Sequence, residues 1–301
     1  MNERMSERIA LVIDGGPAGR AAESWVVGRA RPTTSSVTVV VIAGADNDLT
    51  EGAAARQGDR YEREAERSRE RLLAAVPGLE LATRVSHGAP LEALVSISGA
   101  VDLVVMGASR AAATMGMTRG SLPLRLAGHS TCPTVVVPAD WTAHTGHVVS
   151  GWADDATAES ALEFAAAEAA RAGVPLTIVH SWSAPSKSRP GGGDPAAEAD
   201  QLRSRGLVNV NGAAARVRAI HPGLSIRTEL VAGSAGVGIV RSAREAALVV
   251  VGSRGRPALT ERLFGSISHD VLNNALTPVV VVPPVRPRPE SRPLGARVAS
   301  S

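Results

Sequence analysis

Short apolar runs recur along the chain at regular intervals. Ile9–Asp14, Val37–Ile42, Leu79–Val85, Val101–Met106 and Thr134–Val137 are rich in Val, Ile and Leu, and all but Leu79–Val85 lack regular alternation with polar residues. Such runs predict strands buried on both faces. Between them lie helical patterns at Ala21–Ala30, Ala53–Val76, Leu91–Gly99 and Leu122–Gly128. Strands alternating with helices predict a parallel α/β sheet. The pattern then begins again: strands at Val148–Trp152, Pro175–His180, Leu224–Val231, Leu248–Val251 and Val279–Val282, with helices at Ala158–Arg171, Ala196–Ala219, Val237–Ala246 and Ile267–Leu276.

Punctuation supports the same repeat. Gly107 and Gly252 stand at the same offset (252 − 107 = 145) as Gly120 and Gly265, and as Pro133 and Pro278. Near the starts, Asp14 falls opposite Ala153 at an offset of 139 (153 − 14 = 139), so the extra residues are internal insertions. The chain therefore divides into two domains of ordinary size, 1–140 and 146–285. Residues 286–301, rich in Pro and Arg, read as a disordered tail, and Ser183–Asp194 reads as a flexible insert.

Composition narrows the function classes. The 301 residues are 44% hydrophobic and 20% charged, a globular balance, while aromatics are only 2%, so the cores must be aliphatic. No apolar run approaches the ~20 residues that cross a bilayer, the start is polar and charged, and Cys132 is the lone cysteine, which is compatible with a reducing compartment. The cytoplasm is the expected location, with no membrane partner. The pI is near 9.9 but the net charge is only +3, and nearly all the positive charge is Arg. With few aromatics and no dense basic cluster, nucleic acid is not an expected partner. Lys187, the sole lysine, lies in the insert, which excludes a Gly-Lys-Ser/Thr phosphate loop.

Candidate chemistry gathers at two places. In a doubly wound sheet of order 3-2-1-4-5, ligands bind beyond the strand ends, where the order reverses between strands one and four. Asp14 follows strand one, and Gly107 or Gly252 follows strand four. The stretch after Gly252 runs Gly252-x-x-Gly255, then nine residues, then Gly265-Ser266 at a helix start. Glycines let backbone approach a ligand, and a helix start presents N–H groups to anions. An acid beside such a loop suits a nucleotide, with the carboxylate on ribose hydroxyls and N–H groups on phosphates.

These residues carry a family resemblance. The strand-end Asp14, the Gly-x-x-Gly-(nine residues)-Gly-Ser motif, the segment Ala161–Trp182 and the closing Pro278–Pro283 resemble a tandem universal stress protein across nearly all of residues 5–285. The resemblance implies two Rossmann-like, adenine nucleotide alpha hydrolase-like domains, each a five-stranded parallel doubly wound sheet of order 3-2-1-4-5. It implies an ATP-binding regulator of stress responses, with or without Mg²⁺. It also implies an internal pseudo-dimer through the two last strands; a homodimer and an unidentified protein partner are further expectations. Carried over by position, Gly252, Gly255, Gly265 and Ser266 complete the second phosphate motif, but the strand-one acid there is Ala153, for which Asp154 or Asp155 would have to substitute. In the first half Asp14, Gly107, Gly120 and Ser121 match, whereas the second glycine is Arg110, which either blocks backbone approach or offers its guanidinium to a phosphate. Adenine would lie near Ile42 in one half and Ser181 in the other. The second half, with its complete loop, is expected to bind more tightly.

Other signals read as structural. Ser266 and His269 sit one helical turn apart without an acid to orient the imidazole, so catalysis is not expected beyond slow ATP hydrolysis. His87 and His180 read as strand-end residues, Trp25 as core packing, Trp152 as packing or as a filler of the second pocket, Cys132 as a small buried residue, and the Arg/Glu run at 56–71 as a solvated helix face. Two alternatives stand beside the nucleotide-binding regulator: a weak ATPase, and a protein-interaction module that no longer binds nucleotide.

Overall fold

The computed structural model describes residues 6–31, 35–43, 51–109, 121–183, 194–253 and 266–284. The first half comprises β1 (Glu7–Ile13), α1 (Pro17–Ala30), β2 (Ser35–Ala43), α2 (Glu51–Ala75), β3 (Glu80–His87), α3 (Pro90–Ser98), β4 (Leu103–Ala108), α4 (Leu122–His129) and β5 (Thr134–Pro138). The second repeats the plan with β6 (His147–Trp152), α5 (Ala156–Ala172), β7 (Leu176–Trp182), α6 (Pro195–Ile220), β8 (Ile226–Ala232), α7 (Ala235–Ser242), β9 (Ala246–Gly252), α8 (Ser266–Asn274) and β10 (Val279–Val282).

The ten strands form one sheet in the order β3-β2-β1-β4-β5-β10-β9-β6-β7-β8. Each half is parallel and ordered 3-2-1-4-5, and the halves meet at an antiparallel seam, Val136 opposite Val279, Val135 opposite Val280 and Thr134 opposite Val281. The seam covers two strand edges that would otherwise expose unpaired backbone groups.

Side chains alternate across a strand, so each apolar run serves two cores. From β1, Ile9, Leu11 and Ile13 enter a cluster under α1, α2, α5 and α6 that continues through both halves. Ala10 and Val12 point the other way, onto Leu94 of α3 and Leu126 of α4. This two-sided burial is why the runs lack alternation. Boundaries differ from the predicted ones where propensity is ambiguous. α1 starts at Pro17, not Ala21, because proline at the first helical position has its φ preset. The helix predicted through Ala246 ends at Ser242, and β9 begins at Ala246, since alanine suits either element.

Candidate functional site

β1 lies between β2 and β4, with Val12 in register with Met106. The sheet order reverses there, and the turn after β1 faces the end of β4. Asp14 occupies that turn and is exposed. One carboxylate oxygen accepts the Gly16 N–H at 2.8 Å, and no other hydrogen bond reaches this side chain among the described residues. Gly16 is the N-cap of α1 and supplies no side-chain cap. Ile42, near the end of β2, is half-buried on the flank of this turn. Ser121 stands at the N-cap of α4 with no side-chain cap hydrogen bond, so its hydroxyl also stays uncommitted among the described residues. Asp14, Ile42 and Gly107 thus share one edge of the first half-sheet.

Gly107 has a role that spacing alone did not reveal. A Cβ there would collide with the backbone carbonyl of Ala18, whose Cα would lie only 2.8 Å away. Its glycine is required for α1 to seat on β4. Gly252 does the same more loosely: a Cβ would come within 2.9 Å of the Thr157 oxygen and 3.0 Å of its carbonyl carbon, at the start of α5. Both strand-end glycines hold a helix start close to the reversal, whatever else approaches them.

The second half arranges its polar groups differently. Ala153 brings no acid, and Asp155 does not replace it in an open turn. Its Oδ1 accepts the N–H groups of Thr157 at 3.0 Å and Ala158 at 2.9 Å, capping α5. Asp154 is exposed. Trp152 does not fill a pocket either; it is buried under α6, donates its indole N–H to Asn209 and lies under the Arg216 guanidinium, 5.2 Å from the ring centroid. Ser181 sits near the end of β7, half-buried, in the place Ile42 holds in β2. Ser266 begins α8 and is exposed, and two residues on Ser268 donates to the Gly252 carbonyl at 2.6 Å. That bond ties the two ends of the Gly252–Ser266 loop together. Arg110, Gly120, Gly255 and Gly265, like the 286–301 tail and most of the Ser183–Asp194 insert, lie outside the described residues.

Sequence reasoning missed one group beside the first site. A Cβ on Gly15, whose φ is +76°, would sit 3.1 Å from the Glu64 carboxyl carbon, so Glu64 of α2 packs against the Asp14 turn. Arg71 holds Glu64 at 3.2 Å and Glu23, which is buried, at 2.7 Å. The Arg/Glu run is therefore a solvated face only in part. The available signal was position: Glu64 and Arg71, seven residues apart, flank the stripe of Ala65, Ser68 and Leu72 that faces the core. Elsewhere the bland readings hold: His180 shares a hydrogen bond with the Trp152 carbonyl at 3.0 Å, and Trp25 is core. Cys132 is buried, and burial pushes its thiol up to about 11. His269 is exposed and makes no hydrogen bond to Ser266.

A doubly wound α/β sheet, repeated within one chain and joined through its last strands, defines a tandem Rossmann-like protein. The Universal stress protein family model matches twice, over residues 5–138 and 145–283. A universal stress protein of Mycolicibacterium smegmatis is 30% identical over 210 residues, covering 69% of this chain and 70% of the relative. One from Mycobacterium tuberculosis is 30% identical over 207 residues, 67% of this chain and 69% of its own. The crystal structure of a universal stress protein from Archaeoglobus fulgidus superposes with a TM-score of 0.69 at 18% identity, over 93% of this chain and all of that one. The chain belongs to the universal stress protein family. No described helix is long and apolar enough to cross a membrane.

Proposed function

We propose that the protein is an adenine-nucleotide-binding regulator that responds to ATP by binding rather than by turnover, and that it acts in the cytoplasm. The observation that carries this reading is the Ser268–Gly252 hydrogen bond, which closes the ends of a complete Gly-x-x-Gly…Gly-Ser loop at the sheet reversal. A loop held at both ends loses less entropy when it wraps a phosphate chain. Gly252, Gly255, Gly265 and Ser266 would hold the phosphates there, with the adenine toward Ser181. In the first half Asp14 would take the ribose, with the adenine toward Ile42 and Gly107, Gly120, Ser121 and Arg110 toward the phosphates. Mg²⁺ would ride mainly on the phosphates, since no group of three or more His, Cys, Asp or Glu gathers among the described residues.

A second reading is favoured by Ala153 and Asp155: the second half has lost its strand-one acid and committed the nearby one to a helix. On that reading the chain works through protein contacts alone. Equilibrium titration with ATP and Mg²⁺, scored as nucleotides bound per chain, separates the two. Binding that Gly255→Arg weakens at least tenfold, with a smaller loss in Asp14→Ala, supports the proposal. No bound nucleotide and no shift in melting temperature with Mg-ATP supports the second reading.

A further inference from the structure

Two residues that occupy the same position in the two halves meet each other at the seam. Arg29 of α1 and Glu168 of α5 are equivalent at the offset of 139 (168 − 29 = 139) that also relates Ala18 to Thr157, the contacts of Gly107 and Gly252. They form a two-pronged ion pair, Nη1 to Oε2 at 2.7 Å and Nη2 to Oε1 at 2.9 Å, with side chains only 5% and 7% exposed. In the sheet, Val135 pairs with Val280, its own equivalent at the offset of 145 (280 − 135 = 145), so both contacts straddle one pseudo-two-fold axis. On the opposite face of the sheet, Ala127 of α4 belongs to the second half's core cluster, while its equivalent Leu272 of α8 packs against the clusters of both halves.

At a true two-fold axis a residue meets its own copy. Two first halves would bring Arg29 onto Arg29 and leave a gap between two Ala127 methyls. Two second halves would bring Glu168 onto Glu168 and crowd Leu272 against Leu272. The unlike pairing alone matches charge on one face and size on the other. A buried charge whose partner is removed or reversed is strongly penalised, so the same contacts that favour the unlike pair oppose the like ones. Local partners soften this without abolishing it: Glu7 holds Arg29 at 2.7 Å, and Arg171 holds Glu168 at 2.9 Å, each within its own half.

We propose that the seam is a keyed interface: the first half accepts only the second half as its partner, and pairing of either half with a copy of itself is rejected at Arg29/Glu168 and Ala127/Leu272. The chain then closes on itself, and any assembly between chains must use surfaces other than the β5 and β10 edges.

The test needs no truncated domain. A site-specific protease sequence placed between the exposed Ala143 and His144 allows the folded chain to be nicked. The nicked protein is taken into urea, returned to buffer at micromolar concentration and weighed by native mass spectrometry. Recovery of 1:1 pairs of unlike halves supports the key. Homodimers of either half, or halves that stay apart, overturn it. Glu168→Arg should weaken the unlike pair by roughly 100-fold or more. Arg29→Met with Glu168→Met, which removes the charge key and leaves Ala127 and Leu272 in place, should retain unlike pairs and raise the share of homodimers above that of the parent protein. A share no higher than the parent's would overturn the charge key.

Discussion

The two halves have one fold and spend their polar groups differently at the same corner. In the first, the acid after β1 is exposed and gives one oxygen to a single N–H, while the cap position of α1 is Gly16. In the second, the position after β6 is Ala153, and the acid has moved to the cap position, where Asp155 takes two N–H groups of α5. A carboxylate at a helix start stabilises the helix, but one already holding two N–H groups has less to offer a ligand. The difference teaches that one half favours availability at this corner and the other favours stability. The glycines show the same contrast: Gly107 has no tolerance for a side chain, whereas Gly252 sits at the limit of contact.

That contrast breaks most sharply at the glycines. Gly107→Ala drives a methyl into the Ala18 carbonyl, which is helix backbone and cannot swing aside. It is expected to cost about 3 kcal/mol or more. Gly252→Ala meets Thr157 at 2.9 Å and is expected to cost about 1–2 kcal/mol after a small helix shift. Urea unfolding of the two variants measures the gap. Equal costs would mean that α1 and α5 seat on their strands alike.

Next in size is the charge at the seam. Burial works against ionisation of Glu168, but the guanidinium groups of Arg29 and Arg171 together outweigh it and hold the carboxyl below the usual carboxylate range. The folded state therefore binds its proton less readily than the unfolded chain. The stability this gives is present above the unfolded carboxyl value, about 4.3, and is lost as pH falls through the lower folded value. Glu168→Gln keeps an oxygen able to accept from Arg29 but removes the negative charge across the seam, and is expected to cost about 3 kcal/mol at neutral pH. It should also flatten the fall in melting temperature below pH 4.5. A variant whose acid limb matches the parent protein would assign that limb to other carboxylates.

How much of this was legible in the sequence depends on which physics dominates at each residue. The runs beginning at Ile9 and Leu103 (residues 9–13 and 103–106) announce their strands because burial on both faces leaves no room for polar residues. Their order was the one the family resemblance implies, and both halves have it. Asp14 and Gly107 were visible as breaks in those runs, and the sheet does bring them to one edge. The seam pair was not legible. Arg29 and Glu168 look like ordinary charges on the solvent side of a helix, and their burial arises only when side chains from two distant helices meet at the seam. The structural role of Gly107 was hidden for the same reason: its clash is with α1, not with its own loop. The shift from an available acid to a capping one, Asp14 against Asp155, differs by a register of two residues that periodicity does not resolve.

A smaller effect separates the two acids. Asp155→Ala removes the side chain that accepts two α5 N–H groups and is expected to cost about 1 kcal/mol. Loss of helical stability confined to α5, seen as faster amide exchange at Thr157 and Ala158, is the expected signature. No change there would mean that water replaces the cap without penalty.

The smallest expected change in stability is the most informative about function. Asp14→Asn keeps an oxygen able to accept the Gly16 N–H, so the turn stays intact and unfolding should move by no more than about 0.5 kcal/mol. What the substitution alters is the charge and acceptor capacity of the group that faces outward. A carboxylate accepts from both hydroxyls of a ribose, whereas an amide has only one acceptor oxygen and two donor hydrogens. If the first half uses Asp14 to hold ribose, affinity for ATP at that half should drop about tenfold while the second half, which has Ala153 in its place, is unaffected. Titration of Asp14→Asn in the Gly255→Arg background isolates the first site and reads the loss directly. An unchanged affinity there would confine nucleotide recognition to the second half's loop, and would make the open Asp14 turn a consequence of losing a cap rather than of keeping a ligand.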